Sequence, residues 1–245
     1  TPLADFRQQG RGGVGAKASA ARDEDFIEYV HQANMHSTMM FFTEQGRLYW
    51  IKVYDIPEGN RQSKGRALQN MINIQKGDKV CAFIHVKNLN DQEYVDNHYL
   101  IFATKDGLMK KTTLESYSRP RANGIIALGL RAGDRLIRVT LTDGKSQMLV
   151  ASYNGKVVRF PEDTVRPMGR TATGVRAIKL DEDGKDRVVG MICVEEGSKD
   201  TVLVISDKGY GKRTLLDDET GEPIYRITNR GGKGVKTMNL TDKTG

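Results

Sequence analysis

Four times along the chain, four apolar residues run into Thr or Ser, then two residues, then Gly. The copies read MMFF-Thr43-EQ-Gly46, LIFA-Thr104-KD-Gly107, MLVA-Ser152-YN-Gly155 and VLVI-Ser206-DK-Gly209. The glycines lie 61, 48 and 54 residues apart. A period near 50 marks a repeat architecture, which constrains the fold more than any local propensity does. Each copy reads as a β-hairpin, because an apolar run ends in Gln-Gly, Asp-Gly, Asn-Gly or Lys-Gly and then returns. Such pairs supply the positive φ that tight primed turns need. Trp50, Lys111, Arg159 and Arg213 occupy the fourth position after the glycine.

A second element recurs at a later phase. It is a basic, Gly-containing loop ahead of a short apolar stretch: QGRGGVGAK (9–17), NRQSKGRAL (60–68), RPRANGIIAL (119–128), GRTATGVRAI (169–178) and NRGGKGVKTM (229–238). A third element, Gly77-Asp78 or Gly133-Asp134, leads into the further strands VCAFIHV and LIRVTL. The unit is therefore a hairpin, a basic loop, a strand, a turn and another strand, about four strands in all. Residues 1–245 are expected to form one all-β domain of repeated blades. Helix-friendly composition marks 16–30, yet the repeat phase puts a strand there.

The 245 residues carry a net charge of +7, which points to a polyanionic partner. Placement is more informative than the sum. Bases gather in the recurring loop: Arg61 and Arg66, Arg119 and Arg121, Arg170, and Arg230 with Lys233. They gather again on the returning hairpin strand: Arg47 and Lys52, Lys110 and Lys111, Lys156 and Arg159, Lys212 and Arg213. Acidic residues cluster elsewhere, at 23–25, 195–196 and 217–219. With the repeats set around an axis, bases of one phase form a band at the rim. Such a band fits a duplex backbone, since neutralised phosphates release counterions without reading sequence. A compact domain of this length has a radius of gyration of roughly 18 Å. Duplex following a rim of very roughly 33 Å path radius needs on the order of 60 base pairs per turn, at an elastic cost of a few tens of kcal/mol. Contacts renewed in every repeat could offset that cost, and a single patch could not.

These stretches resemble a known family, the C-terminal DNA-wrapping domain of the DNA gyrase A subunit. Its marker is the box QRRGGKG, and here QGRGGVG runs through Gln9, Gly10, Arg11, Gly12, Gly13, Val14 and Gly15. LYWIKVYDIP, DGLMKKT, GKVVRF, TGVRAIKL and GYGKRT follow in the family's order, so the likeness covers essentially the whole chain. The resemblance implies a propeller-like β-pinwheel whose rim binds and bends duplex DNA. The chain reads as truncated relative to six blades. It further implies that the box enables negative supercoiling by a full ATP-dependent type II topoisomerase. In that A2B2 enzyme the partners would be the gyrase B subunit, together with the N-terminal breakage-reunion region of the gyrase A subunit. The cleaving tyrosine would lie in that region, outside this chain. No cofactor is expected in this domain, with ATP and Mg2+ used elsewhere in the enzyme. The implied location is the bacterial cytoplasm, at the nucleoid. Gly10 and Val14 depart from the box by removing two bases; NRGGKG (229–234) is a fuller version. The alternatives are the C-terminal domain of the topoisomerase IV A subunit, which bends DNA less, and a propeller-like protein-interaction scaffold.

Other patterns carry less. GRGGVG (10–15) matches a dinucleotide fingerprint in letters, but no apolar strand precedes it. His31, His36, His85 and His98 lack metal-ligand spacing, and Asp181-Glu-Asp-Gly184 is too short for a calcium loop. No metal site or catalytic nucleophile is expected. Cys81 and Cys193 sit in apolar strand-like runs as free thiols, and no apolar run has membrane-spanning length. Trp50 is expected to pack between blades.

Overall fold

A computed structural model describes residues 1–16, 26–182 and 184–245. The four hairpins form as expected. They are β1 (Thr38–Thr43) with β2 (Arg47–Lys52), β4 (Tyr99–Thr104) with β5 (Leu108–Thr113), β8 (Gln147–Ser152) with β9 (Lys156–Pro161), and β12 (Thr201–Ile205) with β13 (Gly211–Leu215). A third strand follows in three repeats: β3 (Val80–Val86), β7 (Leu136–Thr142) and β11 (Val188–Val194). Each pairs antiparallel with the first strand of its own hairpin. Two-residue strands β6 (Ile125–Ile126), β10 (Val175–Arg176) and β14 (Val235–Lys236) follow the basic loops, and a short helix, α1 (Gln92–Asp96), precedes β4.

The chain is therefore all-β, with three four-stranded sheets, β3-β1-β2-β6, β7-β4-β5-β10 and β11-β8-β9-β14, and a two-stranded sheet β12-β13. The short closing strand of each sheet comes from the next repeat: β6 follows the second hairpin but pairs with β2 of the first. The four-strand count expected from sequence holds in three sheets and not in the fourth, which has two strands. The strands after the last three basic loops, however, leave their own units to bolt the preceding ones, while a single 3-10 turn, Leu68–Asn70, follows the loop at 60–68. β7 adjoins both β3 and β11, and the closing strands, with the basic loops ahead of them, take the opposite, outer edge of each sheet. The strand expected within 16–30 falls partly on residues outside the described set; 26–30 are described and are not strand.

The repeated Thr/Ser and Gly have a specific task. The amides of Gly46, Gly107, Gly155 and Gly209 donate to the carbonyls three residues back, on Thr43, Thr104, Ser152 and Ser206. All four glycines have positive φ, and among the described residues no other residue type does. The primed turns expected from Asp-Gly and Asn-Gly are thus absent among the described residues. Each is a right-handed turn closed by one left-handed glycine, which also twists a hairpin correctly. The hydroxyls of Thr43, Thr104 and Ser206 then accept from the amide after the glycine, at 3.1, 3.3 and 3.3 Å. The third element completes this tip. Asp78, Asp134 and Asp186 each accept an amide from their own repeat's hairpin, on Gln45, Asp106 and Asn154, at 3.2, 3.0 and 3.0 Å.

The core lies between sheets as well as within them. Met40, Phe42 and Leu48 of the first sheet pack with Leu100, Phe102 and Leu114 of the second repeat, and Phe42 meets Phe102 edge-on at 5.5 Å. Met109, Val158 and Phe160 continue the core across the next junction, and Leu149, Val157, Leu216 and Tyr225 across the last. Burial of such side chains contributes about 1.5–3 kcal/mol each, so each sheet is stabilised by its neighbour.

Candidate nucleic-acid interface

The basic loops precede the closing strands and are shaped by where those strands must go. In the loop ending at Gly174, β10 runs against β5 and brings the glycine onto the Met109 carbonyl. A Cβ there would sit 2.4 Å from that oxygen, so only glycine passes. The equivalent approaches at Gly124 and Gly234 are both 2.6 Å, to Leu48 and Val157 carbonyls. The same backbone turn recurs ahead of the glycine, with amides of Gly13, Ser63 and Ala172 donating to carbonyls of Gly10, Asn60 and Gly169. In the first loop, Gly15 also donates to the Gln9 side chain at 2.9 Å, and Gly12 and Gly15 take the torsions that Gly231 and Gly234 take in NRGGKG. Gln9, Gly10, Arg11, Gly12, Gly13, Val14 and Gly15 are all exposed.

These loops place Arg61, Arg66, Arg119, Arg121, Arg230 and Lys233 on the exposed outer edge. Arg230 also donates to the Thr164 and Arg176 carbonyls, at 3.2 and 3.4 Å, which orients it. Arg170 is half-buried, and its Nε is enclosed without a hydrogen-bond partner. Among the described residues, ion pairs join Lys111 to Glu162, Arg135 to Glu44, Lys156 to Asp181 and Arg159 to Asp217. None uses a base from the loops, so their charge faces solvent uncompensated by a contacting carboxylate.

The hairpin-strand bases divide. Lys212 and Arg213 are exposed and Lys52 is half-buried, with Lys212 donating to the Thr237 carbonyl at 3.2 Å. Arg47 is half-buried and donates to the Tyr49 hydroxyl and the Asn123 carbonyl, both at 3.1 Å. Lys156 is half-buried against Asp181 at 2.5 Å. Lys110, Lys111 and Arg159 are not on the rim: they are 0%, 4% and 3% exposed. β5 and β9 lie between two neighbouring sheets and are covered on both faces, so a base there points into protein whichever way it faces.

Each buried base is consumed by a junction. Lys110 Nζ donates to the Tyr117 hydroxyl at 3.2 Å and to the Ala127 and Arg170 carbonyls at 2.5 Å, over the Phe102 ring. Burial, then the Arg170 charge, pushes its pKa down to about 7. Lys111 pairs with buried Glu162 at 2.8 Å and lies 4.3 Å from the Tyr99 ring centre. Arg159 donates to Gln147 at 2.7 Å and to Asp217 at 2.6 Å. Trp50 holds the corresponding place in the first repeat and donates to the Tyr117 carbonyl of the second at 3.1 Å, packed between repeats as expected. The sequence reading missed Glu162, Gln147, Asp217 and Tyr117 as partners, because they are brought in from other strands and repeats.

Cys81 and Cys193 are free, with thiol pKa values pushed up to about 12 by burial. Among the described residues there is no metal-binding group of three or more His, Cys, Asp or Glu, and no helix is long and apolar enough to cross a membrane.

The family described as the DNA gyrase C-terminal domain, a beta-propeller, matches residues 1–34, 37–87, 98–143, 147–195 and 200–245. These five segments follow the repeat. The DNA gyrase A subunit of Staphylococcus aureus (strain NCTC 8325 / PS 47) is 41% identical over 244 residues, covering 100% of this chain and 26% of that protein. Among solved structures, a C-terminal domain of DNA topoisomerase IV superposes with a TM-score of 0.74 at 25% identity, covering 90% of this chain and 64% of that one. A DNA gyrase A C-terminal domain gives 0.69 at 20% identity, covering 100% and 75%. The second of these likenesses speaks to the fold alone.

Proposed function

The chain belongs to the DNA gyrase C-terminal domain family, and on that premise we propose that residues 1–245 act as one domain that binds duplex DNA along its outer loops and wraps it. The observation that supports this reading is the recurrence of loop bases, exposed apart from the half-buried Arg170, that have no ion pair among the described residues. The DNA-facing set is then Arg61, Arg66, Arg119, Arg121, Arg170, Arg230 and Lys233, with Lys52, Lys212 and Arg213 at its margin and Arg11 in the box. Contacts of this kind are to phosphates and carry no sequence information.

The chain spans about a quarter of the length of the curated relatives it matches, so the wider role is also part of the proposal. In an A2B2 enzyme with the gyrase B subunit, the domain would hold DNA while the N-terminal region of the A subunit cleaves it, with ATP and Mg2+ used there rather than here. The setting would be the bacterial cytoplasm, at the nucleoid. A second reading, bending without full wrapping as in topoisomerase IV, is supported by the superposition at TM-score 0.74 and by the loss of two box bases at Gly10 and Val14. Identity to a gyrase A subunit, 41% along the whole chain, favours the first.

The test is binding to duplexes of roughly 20, 40, 60 and 100 base pairs across a salt series. Affinity that climbs with length, with log affinity falling steeply against log salt, is the expected outcome. Affinity that levels off by about 20 base pairs would favour bending over wrapping. No binding at low salt would move the protein-scaffold reading to the front.

A further inference from the structure

The three junctions between neighbouring repeats are not equivalent. At the second, Tyr99, Lys111 and Glu162 fill the space with a stacked, buried ion pair. At the third, buried Arg159 donates to Gln147 and pairs with the partly exposed Asp217. The first junction has Thr38 where the others have Tyr99 and Gln147, and Trp50 where they have bases. From the second repeat it receives Leu114, at the position of Glu162 in the third. Trp50 and Leu114 join the apolar core. The small Thr38 leaves a cleft of 540 Å³, lined by Trp50, Lys52, Asp55, Arg66 and Arg121 among others.

Three cations and one carboxylate therefore face one opening, and none of the four has an ion-pair partner among the described residues. Arg66 and Arg121 come from consecutive basic loops, so the cleft lies between two steps of the outer edge. Thr38 at its back is 1% exposed, so the open part of the cleft is bounded by Lys52, Asp55, Arg66 and Arg121.

We propose that this cleft is the seat of one phosphate, and that its occupant is a phosphodiester of the bound duplex, which fixes the register at which DNA enters the row of loop contacts. Arg66 and Arg121 reach the cleft from separate loops, and each guanidinium can donate two N–H bonds to phosphate oxygens, with the Lys52 ammonium adding charge from the strand. This inference rests on the DNA-binding reading and adds to it a point of unequal strength. At the other two junctions the place of Trp50 is taken by Lys111 and Arg159, which pair with Glu162 and Asp217 across the junction.

Trp50 is the protein's one tryptophan, so intrinsic tryptophan fluorescence reports on this cleft alone. The 245-residue chain is titrated with a labelled 20-base-pair duplex and, separately, with sodium phosphate at matched ionic strength. Affinity is read by anisotropy of the label, and occupancy by Trp50 emission. Two double variants are compared, Arg66→Gln with Arg121→Gln, and Arg230→Gln with Lys233→Gln, equal in charge removed. The expected result is a saturable Trp50 change on duplex addition. The first variant should lose about tenfold more affinity than the second, and the Trp50 change with it. Duplex binding with equal losses in the two variants overturns the seat and leaves the DNA-binding reading standing. Absence of duplex binding sinks that reading and the duplex assignment together. A Trp50 response to phosphate without duplex binding would then mark a small-anion site instead.

Discussion

Lys110 and Arg121 carry the same charge in the same repeat, and they do opposite things. Lys110 is sealed between two sheets and spends every donor on the protein. Arg121 stands on an exposed loop and, among the described residues, has no acid against it. The difference lies in the covering of the backbone beneath. A strand flanked by sheets on both faces converts any base it carries into a bolt, whereas a loop at the outer edge leaves its base to a partner from solution. Net charge thus overstates the interface: part of the +7 is structural cation.

The largest break in this comparison should come from unpairing a bolt. Glu162→Ala leaves Lys111 buried without its acid and is expected to cost about 3–5 kcal/mol of unfolding free energy, read by urea denaturation. Replacing both, Lys111→Met with Glu162→Leu, should recover most of that loss, because an apolar pair of similar volume avoids desolvating two charges. A double variant as unstable as the single one would mean that the pair contributes net attraction.

Gly174 and Gly15 close corresponding loops and differ in what they touch. Gly174→Ala puts a Cβ 2.4 Å from a carbonyl at φ +101°, while Gly15 has φ +78° and nothing within 4 Å. The first substitution adds a steric clash to the left-handed strain and should cost about 3 kcal/mol. The second carries the strain alone, about 1 kcal/mol. Thermal melts of the two variants check the ranking, and equal shifts would mean that β10 yields to the clash.

Lys110 itself can be read through pH. Its folded pKa is pushed down to about 7 from the lysine value of 10.5, mostly by burial and then by Arg170. Between those values the unfolded chain holds the extra proton, so this site favours folding more as pH rises through the window. The gain should be about 1.4 kcal/mol per pH unit at most. The measurable quantity is the stability difference between the wild type and Lys110→Met from pH 7 to 9. It should move toward the wild type as pH rises; a flat difference would mean that Lys110 keeps its proton throughout.

Much of the fold was legible because the repeat is written in local chemistry. Thr or Ser followed by Gly closes every tip, and the glycines at 124, 174 and 234 mark each approach to a preceding hairpin. The exchange of closing strands was not legible. β6, β10 and β14 are two residues each, too short for any periodicity, and their partners lie in another repeat. The third tip aspartate, Asp186, was hidden by a loop spelled differently from Gly77-Asp78. For the interface, the loops announced exposed bases correctly, while LMKK and KVVR announced a solvated strand that does not exist. The signal that could have corrected this was nearby: a base inside a strand of otherwise buried residues needs an acid or amide, and Glu162 and Gln147 stand at strand ends within reach.

The smallest effect on stability should fall on the other member of the comparison. Arg61 and Lys64 are exposed, have no ion pair among the described residues, and sit on a loop whose turn is closed by backbone and by Asn60 and Ser63. Arg61→Gln with Lys64→Gln should therefore change unfolding free energy by less than about 0.5 kcal/mol. The same variant should flatten the salt dependence of duplex binding by roughly the number of phosphates lost, near two in slope. A stability loss as large as that of Glu162→Ala would place these bases among the bolts. An unchanged salt slope would remove this loop from the DNA path while leaving its neighbours in it.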